Sequence, residues 1–277
     1  MSQTATTPSH YVSSHGATDA VLKYHSWRTV ENSAPHLIPY LKPDLNVLDV
    51  GCGPGTITLD LASRVPQGRV TGVDYAASAI ERARANAADK KIGNVLFEVG
   101  DIFALLFADD TFDLTHAHQV LQHIVDPVKA LREIRRVTKP GGIVALRETD
   151  VQTFVFYPET EGLTRWVRQL SGELGRRHGC EPEAGRRLHA WARQAGFDSA
   201  SMDRSVGSWC FSTAEERHFW GGSIINRLEN SSLPATAVEK GLATAEEIKE
   251  TVQALKDWIA DEDGWFALMH GQLIARA

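Results

Sequence analysis

Val47-Leu48-Asp49-Val50-Gly51-Cys52-Gly53-Pro54-Gly55 is the stretch that decides the fold. A short apolar strand ends in an acid and runs straight into a glycine-rich turn, after which Ile57 to Arg64 reads as a helix. Glycine serves where a backbone turns with positive φ or comes close to a ligand. A helix that starts just beyond such a turn aims free N–H groups at whatever lies there. Three alternating glycines after a strand-terminal acid therefore mark a cofactor corner at the carboxyl end of the first strand of an open α/β sheet.

Working downstream, Arg69 to Asp74 reads as a second strand, again ending in an acid. Ala76 to Asp89, rich in Ala, Arg and Glu, is a helix by propensity. Val95 to Val99 is the third strand, leading into Gly100-Asp101, and Phe112 to His118 is the fourth. Asp126-Pro127 opens a helix with a capping acid and a proline at the first helical position. That helix runs to Val137, Lys139-Pro140-Gly141-Gly142 stops it, and Ile143 to Arg147 is the fifth strand. Strands alternating with helices at this spacing predict βαβ units and a parallel sheet. Asp49, Asp74, Asp101 and His118 then meet along one sheet edge although they are scattered in sequence.

The second half is less regular. Helices are expected over Thr164 to Arg177, Pro182 to Ala195, Thr213 to Leu228 and Thr244 to Ile259, the last opened by a Thr-x-x-Glu capping box. A sixth strand is expected over Phe197 to Val206 and a final one over Trp265 to Ala275, so 207–262 reads as a helical lid inserted between them. Upstream, Ala20 to Leu41 reads as two helical pieces that could cover a bound cofactor, and 1–19 as a flexible arm. The remainder, 20–277, is one domain.

Bulk properties narrow the function. At 43% hydrophobic and 23% charged residues the chain is an ordinary globular protein. Its net charge of −6, with acids and bases interleaved, argues against nucleic acid as partner. No apolar run approaches the roughly 20 residues of a membrane span. Cys52, Cys180 and Cys210 are distant and odd in number, which argues for a reducing, cytoplasmic setting and against a disulfide framework or a cysteine metal site. Oligomeric state is unreadable.

The corner also selects its ligand. A dinucleotide corner reads G-x-G-x-x-G and holds a pyrophosphate. Here the pattern is Gly51-x-Gly53-x-Gly55 behind Asp49. A carboxylate so placed repels a pyrophosphate and favours a cationic group, such as the α-ammonium of S-adenosyl-L-methionine (SAM). Asp74 then suits a ribose diol and Asp101 the adenine amino group. A nicotinamide oxidoreductase is the enzymatic rival, and a catalytically inactive SAM-binding protein is the rival of another class.

Val47–Gly55, Val70–Asp74, Gly100–Asp101, Phe112–Ile124 and Thr138–Ile143 together resemble the ordered motifs of class I SAM-dependent methyltransferases, most closely the quinone-biosynthesis and small-molecule branch. His25, Ser26, Trp27, Arg28 and Thr29, with the aromatic insertion, resemble fungal secondary-metabolite methyltransferases of the gliotoxin bis-thiomethyltransferase kind. The resemblance implies a Rossmann-like fold with a mostly parallel seven-stranded sheet, an antiparallel last strand and a helical lid. It implies that the backbone of Gly51, Cys52 and Gly53 lines the methionine portion, with Cys52 as packing rather than nucleophile. Asp74 would hold the ribose with Tyr75 beside the adenine. Gly100, Asp101 and Ile102 would bracket the adenine, and Gln119 would approach from the fourth strand. Arg28 and Tyr24 would reach the SAM carboxylate.

The acceptor implied is a small molecule, a secondary-metabolite thiol first with O- or C-methylation of a phenol or quinol as the alternative, and sulfur, oxygen, nitrogen and activated carbon all suit the site. His118 and His123 are the candidate bases, since imidazole titrates near neutrality. His116, further back on the same strand face, is weaker. Glu148 and Asp150 lie near the crevice but could merely cap the loop. Trp166 and Trp220, from the set that includes Trp209, Phe211 and Phe219, are expected to wall the substrate pocket.

Overall fold

The computed structural model describes residues 26–277. Tyr24, His25 and the N-terminal arm lie outside them. The sheet has eight strands: β1 Asn46–Val50, β2 Arg69–Asp74, β3 Val95–Val99, β4 Phe112–His118, β5 Thr138–Thr149, β6 Val155–Tyr157, β7 Asp203–Phe211 and β8 Trp265–Arg276. β3, β2, β1, β4 and β5 are parallel neighbours in that order, and β8 runs antiparallel beside β5. β7 and the short β6 both pair antiparallel with β8. The expected count of seven is thus corrected to eight, because Val155, Phe156 and Tyr157 align with the start of β8.

The helices are α1 Val30–Ser33, α2 Thr56–Arg64, α3 Ala77–Lys90, α4 Pro127–Val137, α5 Glu161–Arg165, α6 Leu174–Arg177, α7 Ala184–Gln194, α8 Ala214–Asn230, α9 Leu233–Glu239 and α10 Ala245–Ala260. A π-helical stretch, Trp166–Glu173, joins α5 to α6. Local chemistry explains several starts. Asp126 accepts the Lys129 N–H at the head of α4, and Thr213 with Glu216 and Thr244 with Glu247 form reciprocal capping boxes for α8 and α10. Gly55, at φ +78°, starts α2, and a Cβ there would stand 2.8 Å from the Phe97 ring.

Four other expectations shift. The Lys139–Gly142 stretch, expected only to stop the helix ahead of a strand at Ile143, is itself part of β5, across a register shift between Phe112 and Leu114. β7 begins at Asp203 rather than Phe197, because Asp198 caps a tight turn over Ser199–Ser201 and Phe197 is buried in the core. β7 also runs on to Phe211, so the inserted helices start at 214. Ahead of β1 the described chain forms only α1 and a 3-10 segment, Pro35–Tyr40, which begins at Pro35 and contains Pro39.

Two cores flank the sheet's active edge. One packs α4 and α7 against β4, β5 and β8 through Leu131, Ile134, Leu188, Leu146 and Leu273. The other joins α5, α8 and α10 to β6–β8 through Trp166, Trp220, Trp258, Phe156 and Phe266. No helix of the described residues is long and apolar enough to cross a membrane.

Candidate active site

β1, β2 and β4 deliver their carboxyl ends to one corner. The N–H groups of Gly51 and Cys52 donate to the Val73 carbonyl, which ties the glycine turn to β2. Asp74 completes the tie: its carboxylate accepts the Gly53 N–H and the Ala76 N–H, both at 2.9 Å. Burial raises the Asp74 pKa, and the two N–H donors oppose that rise. Nothing stands within 4 Å of a Cβ built on Gly53, and Tyr75 is 40% exposed. The corner therefore opens on free space, as an adenosyl ligand requires. Asp101 accepts the Phe103 N–H at 2.8 Å, while Ile102 is buried. Gly100 leaves room where a Cβ would meet Val73 at 2.8 Å.

Asp49 is placed differently from the expectation that its carboxylate faces an ammonium. It is buried, accepting the Thr58 hydroxyl at 2.6 Å and His116 Nδ1 at 2.8 Å. It braces α2 and β4 against β1, and the open turn is left to backbone N–H groups. Cys52 is buried, and burial, then the carboxylates of Asp49 and Asp74, push its thiol well above the usual range. That suits packing and disfavours a thiolate.

At the end of β4, Gln119 takes φ +54°, a conformation uncommon for a side-chain-bearing residue. Its amide bridges three elements: the oxygen accepts Arg28 Nη2 at 2.6 Å, and the nitrogen lies 2.6 Å from Thr149 Oγ1 and 3.0 Å from His270 Nε2. His118 is 5% exposed, and burial, then the guanidinium charges of Arg28 and Arg147, hold its pKa well below the ordinary value. His123 lies in the 3-10 turn Leu121–His123, with Gln122 Nε2 at 2.9 Å and Cys180 Sγ at 3.8 Å. Burial lowers its pKa to about 4. Both histidines are neutral at physiological pH.

Trp166 and Trp220 lie in the core of the inserted helices, 2% and 4% exposed, with Trp220 3.9 Å from the Phe266 ring. Trp27 and Trp209, 5.0 Å apart and packed with Phe211 and Phe219, form a neighbouring aromatic group in which Trp209 is as buried as Trp220. Trp209 also stands 5.8 Å from His118. Sequence reasoning missed Arg147 and His270. Their signal was a charge directly after the apolar run Ile143–Leu146 and a histidine in an alternating terminal strand. A cavity of about 350 Å³ between α7, β7 and β8 lies apart, lined by none of the corner residues. Among the described residues no cluster of three or more His, Cys, Asp or Glu is arranged to hold a metal.

Glu148 does cap a loop. Its carboxylate accepts the N–H groups of Val120, Leu121 and Gln122 at 2.8, 2.7 and 3.4 Å, fixing the segment that carries Gln119 and His123. Burial pushes its pKa up to about 7 from 4.5. The folded chain therefore holds a proton across that window which the unfolded chain has lost, and stability falls as pH rises through it. The urea midpoint is expected to decline between about pH 5 and 7.5, and Glu148→Gln is expected to flatten the decline. An unchanged slope in the variant would refute this role.

A parallel α/β sheet with an antiparallel last strand and an open glycine-rich corner at the end of β1 is the arrangement of a class I methyltransferase. The methyltransferase-domain family model matches residues 41–195. An uncharacterized methyltransferase of Schizosaccharomyces pombe is 34% identical over 267 residues, covering 94% of each chain. The probable methyltransferase ltbC of Aspergillus luteorubrus is 36% identical over 281 residues, covering 94% of this chain and 95% of its own. The fold is also that of Haemonchus contortus phosphoethanolamine N-methyltransferase 2 in complex with SAM, at 19% identity and a TM-score of 0.57, over 96% of this chain and 58% of that one. The chain belongs to the methyltransferase-domain family, and it is a SAM-dependent methyltransferase.

Proposed function

We propose that the enzyme methylates an ionisable S–H or O–H of a small, ring-bearing molecule, a secondary-metabolite thiol before a phenol or quinol. SAM supplies a sulfonium methyl group, which an electron pair of the acceptor attacks while the carbon–sulfur electrons stay on sulfur. The chain's own contribution is positioning: Gly51, Cys52 and Gly53 line the methionine portion, Asp74 the ribose, and Asp101 with Ile102 the adenine. The Trp27–Trp209 wall excludes water beside His118.

The observation that carries the thiol preference is the state of His118. Buried beside two guanidinium groups, it is neutral and a weak base. A weak base suits an acceptor that ionises readily, and a thiol at ~8.5 does so better than a phenol at ~10. The sequence resemblance of His25–Thr29 to fungal thiol-methylating enzymes supports the same reading. His118→Asn is therefore expected to lower kcat no more than about threefold with a thiol and about tenfold with a phenol, both below the usual contribution of a general base. Equal losses with both acceptors would contradict this assignment.

The direct test is an acceptor screen read by product mass, containing an aromatic thiol, a dithiol, a phenol and a quinol. Methylated thiol is the expected product. Inert thiols beside a methylated quinol would replace the thiol reading with the quinol one.

A further inference from the structure

On the sheet face that meets the aromatic wall, a buried polar layer crosses three strands. Register sets His118 beside Arg147, Arg147 beside Gln272 and Thr149 beside His270. The layer is rich in donors and poor in acceptors. Arg147, 1% exposed, donates to the Asn32 carbonyl at 3.1 Å and stands 3.1 Å from His270 Nδ1. Its Nε has no partner, and among the described residues no carboxylate pairs with it. His270 has the Arg147 guanidinium against one ring nitrogen and the Gln119 amide nitrogen against the other, with a hydrogen bond to the Gly207 backbone besides. A neutral imidazole carries one N–H, so it satisfies only one of these donors. Both ring nitrogens of His118 lack partners.

Among the described residues, two guanidinium groups face the layer. Arg28 approaches from the segment before α1, its guanidinium 5.6 Å from the Trp209 ring, and Arg147 lies 5.4 Å from the same ring. Of the acids, Asp49 is engaged by Thr58 and His116, and Glu148 by three backbone N–H groups. A buried guanidinium without a counter-charge is unfavourable, and buried donors without acceptors are rare. Among the described residues, Arg147 has no anion to pair with.

We propose that Arg147, with His118 and His270 beside it and Trp209 as its flat wall, forms a subsite that binds the acceptor as an organic anion, its thiolate or phenolate. The inference rests on the acceptor having an ionisable S–H or O–H. It makes Arg147 a specificity-determining residue: the proton leaves to solvent as the acceptor binds, and the cationic layer then holds the charge. It also explains why a weakly basic His118 suffices.

The test uses 4-nitrophenol, whose phenolate absorbs visible light, titrated into the full chain with S-adenosylhomocysteine present. Saturable binding is expected, with the bound reporter's pKa lowered by about one unit, equivalent to a tenfold preference for the anion. Arg147→Gln is expected to abolish the shift and Arg147→Lys to retain it. The wild-type titration decides even if the glutamine variant misfolds. An unshifted pKa, or no saturable binding, overturns the subsite. Calorimetry of S-adenosylhomocysteine and the acceptor screen separate this from the parent reading. Methyl transfer to thiols or phenols without the shift sinks the subsite alone, whereas failure of every thiol and phenol sinks the acceptor reading.

Discussion

Replacing Asp74 by Ala is expected to weaken SAM binding about 100-fold by calorimetry. Two contributions add. The carboxylate is the proposed acceptor for the ribose hydroxyls, and hydrogen bonds to a charged group contribute ~1.5–3 kcal/mol each. It also fixes the turn itself through the Gly53 and Ala76 N–H groups, so its loss frees the backbone that must approach the ligand. Two such bonds at the lower figure amount to ~3 kcal/mol, about two factors of ten. Asp74→Asn keeps an oxygen for the two N–H groups but loses the charge, and is expected to fall between wild type and Ala. An Asp74→Ala affinity within twofold of wild type, in a variant that still unfolds cooperatively, would remove Asp74 from the site.

The second large effect is on stability. Gly271 of β8 and Gly185 at the start of α7 pack backbone on backbone: a Cβ on Gly271 would lie 2.0 Å from the Gly185 oxygen and 2.4 Å from its carbonyl carbon. Neither atom can rotate away. Gly271→Ala must push α7 off the sheet, loosening Leu188 and Ala192 from Leu146 and Leu273. Overpacking usually costs ~1–3 kcal/mol, and a clash with fixed backbone belongs at or above the top of that range. Thermal denaturation should show Tm lower by about 6–12 °C. Gly93→Ala, where a Cβ would meet nothing within 4 Å, is the matched control and should change little. Equal Tm values for the two variants would contradict the close packing of α7.

Sequence periodicity located β2, β3 and β4 to the residue, because each is an apolar run bounded by turn chemistry and an acid. Propensity and caps located α4 and α10 nearly as well. What it missed depended on pairing. Lys139–Gly142 reads as a break locally, yet Thr138 pairs with Phe112 across a bulge and starts β5 there. Val155–Tyr157 is too short to read as a strand until β8 lies beside it.

The site divides the same way. The glycine turn, Asp74 and Asp101 are contiguous with β1, β2 and β3, so their placement at the strand ends was readable. Asp49 was misjudged because its partners, Thr58 and His116, lie 9 and 67 residues away. Trp166 and Trp220 read as pocket walls only because composition cannot show that Phe266 and the inserted helices enclose them. Sequence hints at Arg147 and His270 singly but not at their layer, which exists only through the register of β4, β5 and β8.

A competition experiment tests the anionic acceptor most directly. The enzyme is given methyl-labelled SAM and an equal mixture of an aromatic thiol, the matching phenol and the matching benzylic amine. A donor-rich, cationic interior favours anions and disfavours ammonium groups. The expected result is label on sulfur, less on oxygen and none on nitrogen. Label on the amine ahead of the thiol and the phenol would contradict the account.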